Sequence, residues 1–214
     1  MLVEPARRRG LADEVADRIR DAIFAGTYPS GHPLREVELS TGLDVSRGPV
    51  REALRLLEHE GLVHVAWHRG ATVTTLSARD VAELDSLRGV LEELAVREVA
   101  THATDDDFAA IDKAADAMRR ALDPHELVAC DILFHDAVFA AGHHRRLIEA
   151  WDGIRRQVHL FLLARIGRST DGYLDSIPAE HRELADALRT RDAAFAGPLF
   201  AAHRRKAFEV LTTG

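Results

Sequence analysis

Val45-Ser46-Arg47-Gly48-Pro49-Val50-Arg51-Glu52-Ala53-Leu54-Arg55-Leu56-Leu57 is the stretch whose reading decides the fold. Taken as a helix entered at Ser46, it sets Arg47, Arg51 and Arg55 four residues apart on one side and Val50, Ala53, Leu54 and Leu57 on the other. Ser46 is expected to cap the N–H groups of the first turn. Pro49 is tolerated because its missing N–H falls among those that a helix start leaves unbonded. One side is a packing surface and the other a row of guanidiniums. From three arginines alone, a solvated amphipathic helix is the commoner outcome. A short helix with Arg in its first turns, preceded by another short helix and a tight turn, also has the dimensions to enter a DNA major groove.

Working outward, Leu11, Val15, Ile19, Ala22 and Ile23 recur at helical spacing, and Gly26 follows as a left-handed cap, which predicts a first helix over residues 11–25. Thr27-Tyr28-Pro29-Ser30-Gly31-His32-Pro33 is dense in turn formers. It leads into a short helix around residues 35–41, with Leu39 and Leu43 pointing inward and Gly42 as its stop. The arginine-bearing helix is expected to run to about Glu60 and to be stopped by Gly61. Residues 62–67 and 71–76 read as two short strands around His68-Arg69-Gly70.

This order of elements is similar to that of a known family. Leu34-Arg35-Glu36-Val37-Glu38-Leu39-Ser40, then Val45 to Leu54 as quoted, then Leu56-Leu57-Glu58-His59-Glu60-Gly61-Leu62-Val63, resembles the winged helix-turn-helix of GntR-family transcription regulators. The likeness extends from about Leu11 to Leu76. It implies that Arg47 and Arg51 are the main DNA contacts, with Ser46 and Gly48 as points of close backbone approach and Arg35 as a phosphate contact. The hairpin becomes a wing whose tip approaches the minor groove or the backbone; Gly70 permits the approach and Arg69 supplies charge. Because Arg bidentate to guanine is the commonest specific base contact, Arg47 or Arg51 is the expected base reader.

The 214 residues suit one large or two small domains, and 46% hydrophobic residues suffice for a packed interior. No run of eighteen apolar residues occurs, and Arg7-Arg8-Arg9 is followed by an acidic amphipathic stretch rather than a signal-peptide core. A cytoplasmic protein with no membrane partner is expected, and the single Cys130 excludes an internal disulfide. The formal net charge of −7 divides unevenly, −1 over residues 1–76 and −6 over residues 77–214. A near-neutral module can still bind DNA through a local cationic face, with salt-sensitive specific affinity and modest non-specific binding.

Beyond Leu76 the pattern is helical only. Ser77 should cap a long helix bearing Val81, Leu84, Leu87, Val90, Leu91, Leu94 and Val99; Thr104 caps a second, to Leu122, and Asp123-Pro124 opens a third, to Ala141. A fourth is expected from His144 to about Ile166, a small helix around residues 170–176, a short one from Pro178 to Arg189, and a last one from Asp192. The expected fold is therefore mostly α, a winged helix-turn-helix over 1–76 and an all-helical domain over 77–214.

In the helical half, Asp131 and His135 are four apart, share one helix face and could reach a single ion, although such a pair is more often a surface ion pair. His181 and His203 follow at distances in sequence that do not by themselves join them. Asp131-Ile132-Leu133-Phe134-His135, Glu180-His181-Arg182-Glu183-Leu184 and His203 resemble the metal-ligand positions of the FCD domain, the effector domain of the FadR subfamily of GntR regulators. The resemblance implies a divalent transition metal (Zn, Ni, Mn or Fe) on Asp131, His135, His181 and His203. One oxygen and three imidazoles suit those ions. Arg88, in Leu87-Arg88-Gly89-Val90-Leu91-Glu92, falls at the position of a pocket arginine and would hold an anionic effector; the alternative is an internal salt bridge to Glu92. Where many members have Gly-Asn after the third helix of this half, this chain has Gly142-His143-His144. Arg155 and His159 are further candidates to line the cavity, and Cys130 reads as a packed small hydrophobe.

The function expected from all of this is a ligand-responsive transcription regulator, a repressor rather than an enzyme. It would bind an inverted-repeat operator in double-stranded DNA as a homodimer and respond to a small organic acid. The rivals are a regulator for which the metal itself is the signal, and a helical-bundle metalloenzyme with a metal-activated water.

Overall fold

Residues 10–66, 70–166 and 173–212 are described by the structure, a computed structural model. The chain divides into two compact units, residues 1–75 and 76–214.

In the first unit, α1 (Leu11–Phe24), α2 (Glu36–Gly42) and α3 (Arg47–His59) accompany a three-stranded sheet of β1 (Pro33–Leu34), β2 (Val63–Ala66) and β3 (Gly70–Val73). Helix α1 turns Val15, Ala16, Ile19 and Ile23 toward Val50, Ala53, Leu54 and Leu57 of α3, all fully or nearly buried. Arg20 clamps the two helices further, giving Nε and Nη2 to the two carboxylate oxygens of Glu60 at 2.8 and 2.7 Å. The sheet has β3 at its centre and is antiparallel throughout, Pro33 facing Thr72 on one side and Val63 facing Val73 on the other. Strand β1 was not anticipated from sequence. It is two residues long, and its proline sits at a sheet edge, where a missing donor does least harm.

Two local expectations need correction. Ser46 stands at the N-cap of α3 in extended conformation, but its hydroxyl makes no capping hydrogen bond. The turn between α2 and α3 is made by Asp44, at φ 53°, because Gly42 is still helical; Asp is among the few residues that tolerate that region. Trp67, His68 and Arg69 lie outside the described residues, so the expected role of Arg69 does too.

The second unit consists of α4 (Ala78–His102), α5 (Asp105–Met118), α6 (Pro124–Ala141), α7 (Arg145–Ile166), α8 (Tyr173–Arg189) and α9 (Ala193–Thr212). Their starts follow local chemistry. The Ser77 and Thr104 hydroxyls accept from the N–H groups of Asp80 and Asp107, whose carboxylates bond back to the cap residues' N–H; Asp123 accepts from Glu126 N–H with Pro124 at the first helical position. Helix α6 is apolar on nearly every side and lies at the centre, against α4, α5 and α7. Phe139 stacks on Trp151 with ring centroids 4.5 Å apart, and Phe134 is fully buried.

One expected helix start and one expected helix end are wrong. Helix α8 begins at Tyr173, not Pro178, and includes residues 173–176, so no separate small helix exists there among the described residues. Pro178 is accommodated inside α8 at the loss of one backbone bond to the turn before it. Helix α5 ends at Met118, short of Leu122, whose side chain is almost wholly exposed. At the α6–α7 junction His143 takes φ 51°, and its Nε2 lies 2.8 Å from Asp107 Oδ2. It faces solvent, and His144 caps α7 instead, its Nδ1 accepting from Leu147 N–H at 3.1 Å.

Candidate functional site

The first unit presents its arginines as their spacing predicts. Arg47 and Arg51 are more than half exposed on α3, and Arg35, just before α2, is more exposed still. Arg55 is exposed one turn further on. Sequence reasoning missed their common partner, Glu36. Arg51 Nε lies 3.0 and 2.8 Å from its two oxygens, and Arg47 Nη2 lies 3.2 Å from one of them. Partial burial would raise the Glu36 carboxyl, but the hydrogen bonds and charges of Arg51 and Arg47 outweigh it and hold the group below its ordinary range. Arg35 is paired locally with Glu38 at 2.8 Å. Gly48 is exposed in the first turn of α3, and a Cβ built on it would meet nothing within 4 Å. Among the described residues no packing accounts for a glycine there. Gly70 does need its freedom, at φ 81° where β3 begins.

The second unit brings Asp131 and His135 of α6, His181 of α8 and His203 of α9 together, with one donor atom from each lying within 4.8 Å of all the others. All four residues are buried. The tautomers follow from the partners. His181 Nδ1 is 2.9 Å from the Ile177 carbonyl, which can only accept, so Nδ1 carries the proton. His203 Nδ1 is 3.0 Å from Glu180 Oε2, and donates there for the same reason. His135 Nε2 sits 2.8 Å from Arg88 Nη2, which can only donate; its proton is therefore on Nδ1, 3.3 Å from Glu92 Oε1, an ion-contact distance rather than a formed hydrogen bond. His181 and His203 are thus each oriented by an acceptor on Nδ1, which leaves Nε2 as the lone pair each can offer, whereas the His135 Nε2 lone pair is engaged by Arg88. Asp131 Oδ1 and His181 Nε2 are buried and make no hydrogen bond, although Asp131 Oδ2 is 3.3 Å from that nitrogen.

Electrostatics favour the same arrangement. Burial would raise the Asp131 carboxyl, but His181, then His135 and Arg88, pull it far below the carboxylate range, so it stays ionised. Burial lowers His135, with Arg88 adding to the effect, and burial followed by the neighbouring His181 lowers His203. The hydrogen bond from His203, assisted by Lys206, brings Glu180 down to about 2. Buried lone pairs on one carboxylate and three imidazoles, two of them held by an acceptor on the far nitrogen, suit a divalent cation.

Arg88 lies beside this set and is almost completely buried. It forms the salt bridge to Glu92 that is the alternative reading of its position, giving Nε to Glu92 Oε1 at 2.7 Å, while Nη2 faces His135 at 2.8 Å. Glu92 is itself buried, and its other oxygen is 3.6 Å from Arg204, whose guanidinium lies so close over Gly89 that a Cβ there would be 2.6 Å from its central carbon. Removing the Glu92 charge leaves a buried guanidinium without its nearest anion, so Glu92→Gln is expected to cost about 3 kcal/mol of stability. Denaturant unfolding measures this, and an unchanged midpoint would contradict it.

The other candidates divide. Arg155 is committed to Asp136, which also accepts from Trp151 Nε1 at 2.7 Å. His159 is buried and pushed down to about 4, chiefly by burial, but is not one of the four grouped donors. Cys130 is half-buried against the core. Sequence reasoning did not single out Arg165, buried on α7 with Nη2 donating to the Lys206 carbonyl at 2.9 Å. An arginine closing the run Leu160-Phe161-Leu162-Leu163-Ala164 was the available signal.

Comparisons with known proteins place both units in known families. Residues 11–73 match the bacterial regulatory proteins of the gntR family, and residues 83–206 match the FCD domain. A protein of Paenarthrobacter nicotinovorans named as a D-xylose utilization operon transcriptional repressor is 32% identical over 187 residues, 86% of this chain and 81% of that protein. The gluconate operon transcriptional repressor of Bacillus licheniformis is 27% identical, over 83% of this chain and 75% of its own. Among solved structures, a GntR transcriptional regulator of Rhodococcus sp. RHA1 superposes with TM-score 0.81 at 28% identity, covering 94% of this chain and 97% of that one. Escherichia coli McbR/YncC, at 21% identity and TM-score 0.82 over 96% and 98% of the two chains, shares the fold. These relatives are transcription regulators and not enzymes, which removes the metalloenzyme alternative. With a winged helix-turn-helix carrying exposed arginines and a helical unit gathering four buried donors, the chain belongs to the GntR family of transcription regulators, in the branch that carries an FCD domain.

Proposed function

We propose that this regulator is a repressor released from its operator by a small organic acid, and that the acid is held between Arg88 and a divalent metal on Asp131, His135, His181 and His203. The observation that carries the reading is the convergence of those four donors beside a buried arginine. The ion would supply a fixed positive charge for a carboxylate. A cation on His135 Nε2 would compete for the lone pair that accepts from Arg88, leaving that guanidinium N–H to a ligand. The names of two relatives, a gluconate operon repressor and a D-xylose utilization operon repressor, point to sugar-derived acids.

On the DNA side, Arg47 and Arg51 read base edges; Arg35 and the wing contact the backbone, and Ser46 and Gly48 allow close approach. A homodimer formed through the helical units would present two such helices to an inverted repeat. Ligand binding shifts the DNA-binding equilibrium only by the difference in its affinity for the bound and released arrangements.

The test uses DNA selected by the protein from a random pool, with the protein first stripped by chelator and then loaded with Zn²⁺. Release of the DNA by gluconate from the loaded protein only is the expected result. Release by Zn²⁺ alone would make the ion the signal.

Gly48→Ala separates folding from recognition. Alanine is about 1 kcal/mol better than glycine inside a helix, and the position is open, so thermal stability should rise slightly. Affinity for the selected DNA should fall severalfold, because the methyl group intrudes where the backbone meets phosphate. Unchanged affinity would remove Gly48 from the interface.

A further inference from the structure

Glu92 stands between two arginines and turns a different oxygen to each. Oε1 accepts from Arg88 Nε at 2.7 Å, while Oε2, buried and without a hydrogen bond, lies 3.6 Å from Arg204 Nη1 of α9. A carboxylate that faces one guanidinium alone is well placed to take it as a fork, with one oxygen on Nε and the other on Nη2. Arg20 and Glu60 of the first unit are paired in that way, at 2.8 and 2.7 Å. Arg88 and Glu92 are not. Arg88 Nη2 lies 2.8 Å from His135 Nε2 instead, on the side of the grouped donors.

Helix α4 makes room for the guanidinium that draws the second oxygen away. Arg204 is anchored by Asp85, one turn before Gly89, with Nε 3.1 Å from Asp85 Oδ1. A Cβ at residue 89 would lie 2.6 Å from the central carbon of that guanidinium and 2.7 and 2.8 Å from its two terminal nitrogens. Glycine weakens the interior of a helix, and Gly89 is not at positive φ, so its backbone does not call for one. The close approach of Arg204 does. Any side chain there would push the guanidinium off Glu92.

We propose that Arg204 is a positioning residue for the effector: by holding the second oxygen of Glu92 away from Arg88, it keeps Arg88 Nη2 directed to the grouped donors and their ligand, in the space that Gly89 leaves open. The inference rests on the ligand site argued above and adds what keeps its arginine available.

Gly89→Ala tests it most directly, because it keeps every charge. Alanine favours the helix, and the displaced guanidinium has a groove of about 490 Å³ between α4 and α9 to move into, so the variant should fold. Its crystal structure should show Glu92 forked on Arg88 through Nε and Nη2; Glu92 still on Nε alone overturns the inference. The second measurement is calorimetry of the full-length, Zn²⁺-loaded protein with gluconate and with xylonate. Gly89→Ala and Arg204→Gln should each weaken whichever acid the wild type binds by about fivefold or more, as expected of residues joined in one charge network, with Zn²⁺ content unchanged. Weakening in Arg204→Gln with wild-type affinity in Gly89→Ala would make Arg204 a remote charge, and Zn²⁺ lost in step with the acid would make it a support for His203. Either result overturns the positioning role while leaving an Arg88-dependent acid site intact. Failure of both acids to bind the wild type, or binding indifferent to Arg88→Gln, overturns the ligand site and the role given to Arg204 with it.

Discussion

Arg51→Ala abolishes specific binding to the selected operator while the protein stays folded. Arg51 is more than half exposed, and it forms an ion pair with the partly exposed Glu36, so truncation removes no packing from α3. Exposed pairs of this kind contribute at most about 1 kcal/mol to stability. A bidentate arginine on guanine is worth about 1–3 kcal/mol of discrimination, and a dimer on an inverted repeat loses it at both half-sites. Binding to unrelated DNA should weaken much less, because Arg35, Arg47 and Arg55 remain for phosphate. Fluorescence anisotropy with the selected site and a scrambled duplex, alongside a thermal melt, checks all three. Wild-type affinity for the selected site would take α3 out of recognition.

His135→Ala strips metal from the protein. Losing a hydrogen-bonding group behind a metal ligand costs about 10- to 100-fold in affinity, and losing a ligand should cost more. Because His135 is completely buried, the substitution also opens a cavity, so metal content must be compared with that of a second buried-histidine variant. His159 supplies the control, since it is nearly as buried and stands outside the four grouped donors. Elemental analysis after dialysis should find His135→Ala depleted and His159→Ala at the wild-type level. Metal at full stoichiometry in His135→Ala, or equal loss in both, would refute the assignment.

What the sequence revealed was whatever is decided locally. The two-sided pattern of α3 and the caps at Ser77, Thr104 and Asp123 depend on neighbours within a turn or so, and the structure shows them. The Ser46 hydroxyl, the two-residue β1 and the early start of α8 were not legible. An unused cap and a helix that runs through a proline are both outcomes of tertiary packing over local preference. The donor set shows the same division. Asp131 and His135 share a face by spacing alone, whereas His181 and His203 reach them only because α8 and α9 pack on one another beside α6, and only the family resemblance announced it. Arg165 and Glu36 meet Lys206 and Arg51, 41 and 15 positions away, beyond any periodicity.

If Arg47 and Arg51 read DNA as proposed, the Glu36 carboxylate that holds both would act as a resident decoy for an incoming duplex. Before Arg47 and Arg51 can touch a duplex they must let go of an anion carried on the same surface, so a weakly complementary sequence gains little from the exchange. A sequence that offers both side chains a matched pair of acceptors gains more than it gives up. On that reading the protein would move across ordinary chromosomal DNA without being held by it, and the overall negative charge of the chain would become an aid to discrimination.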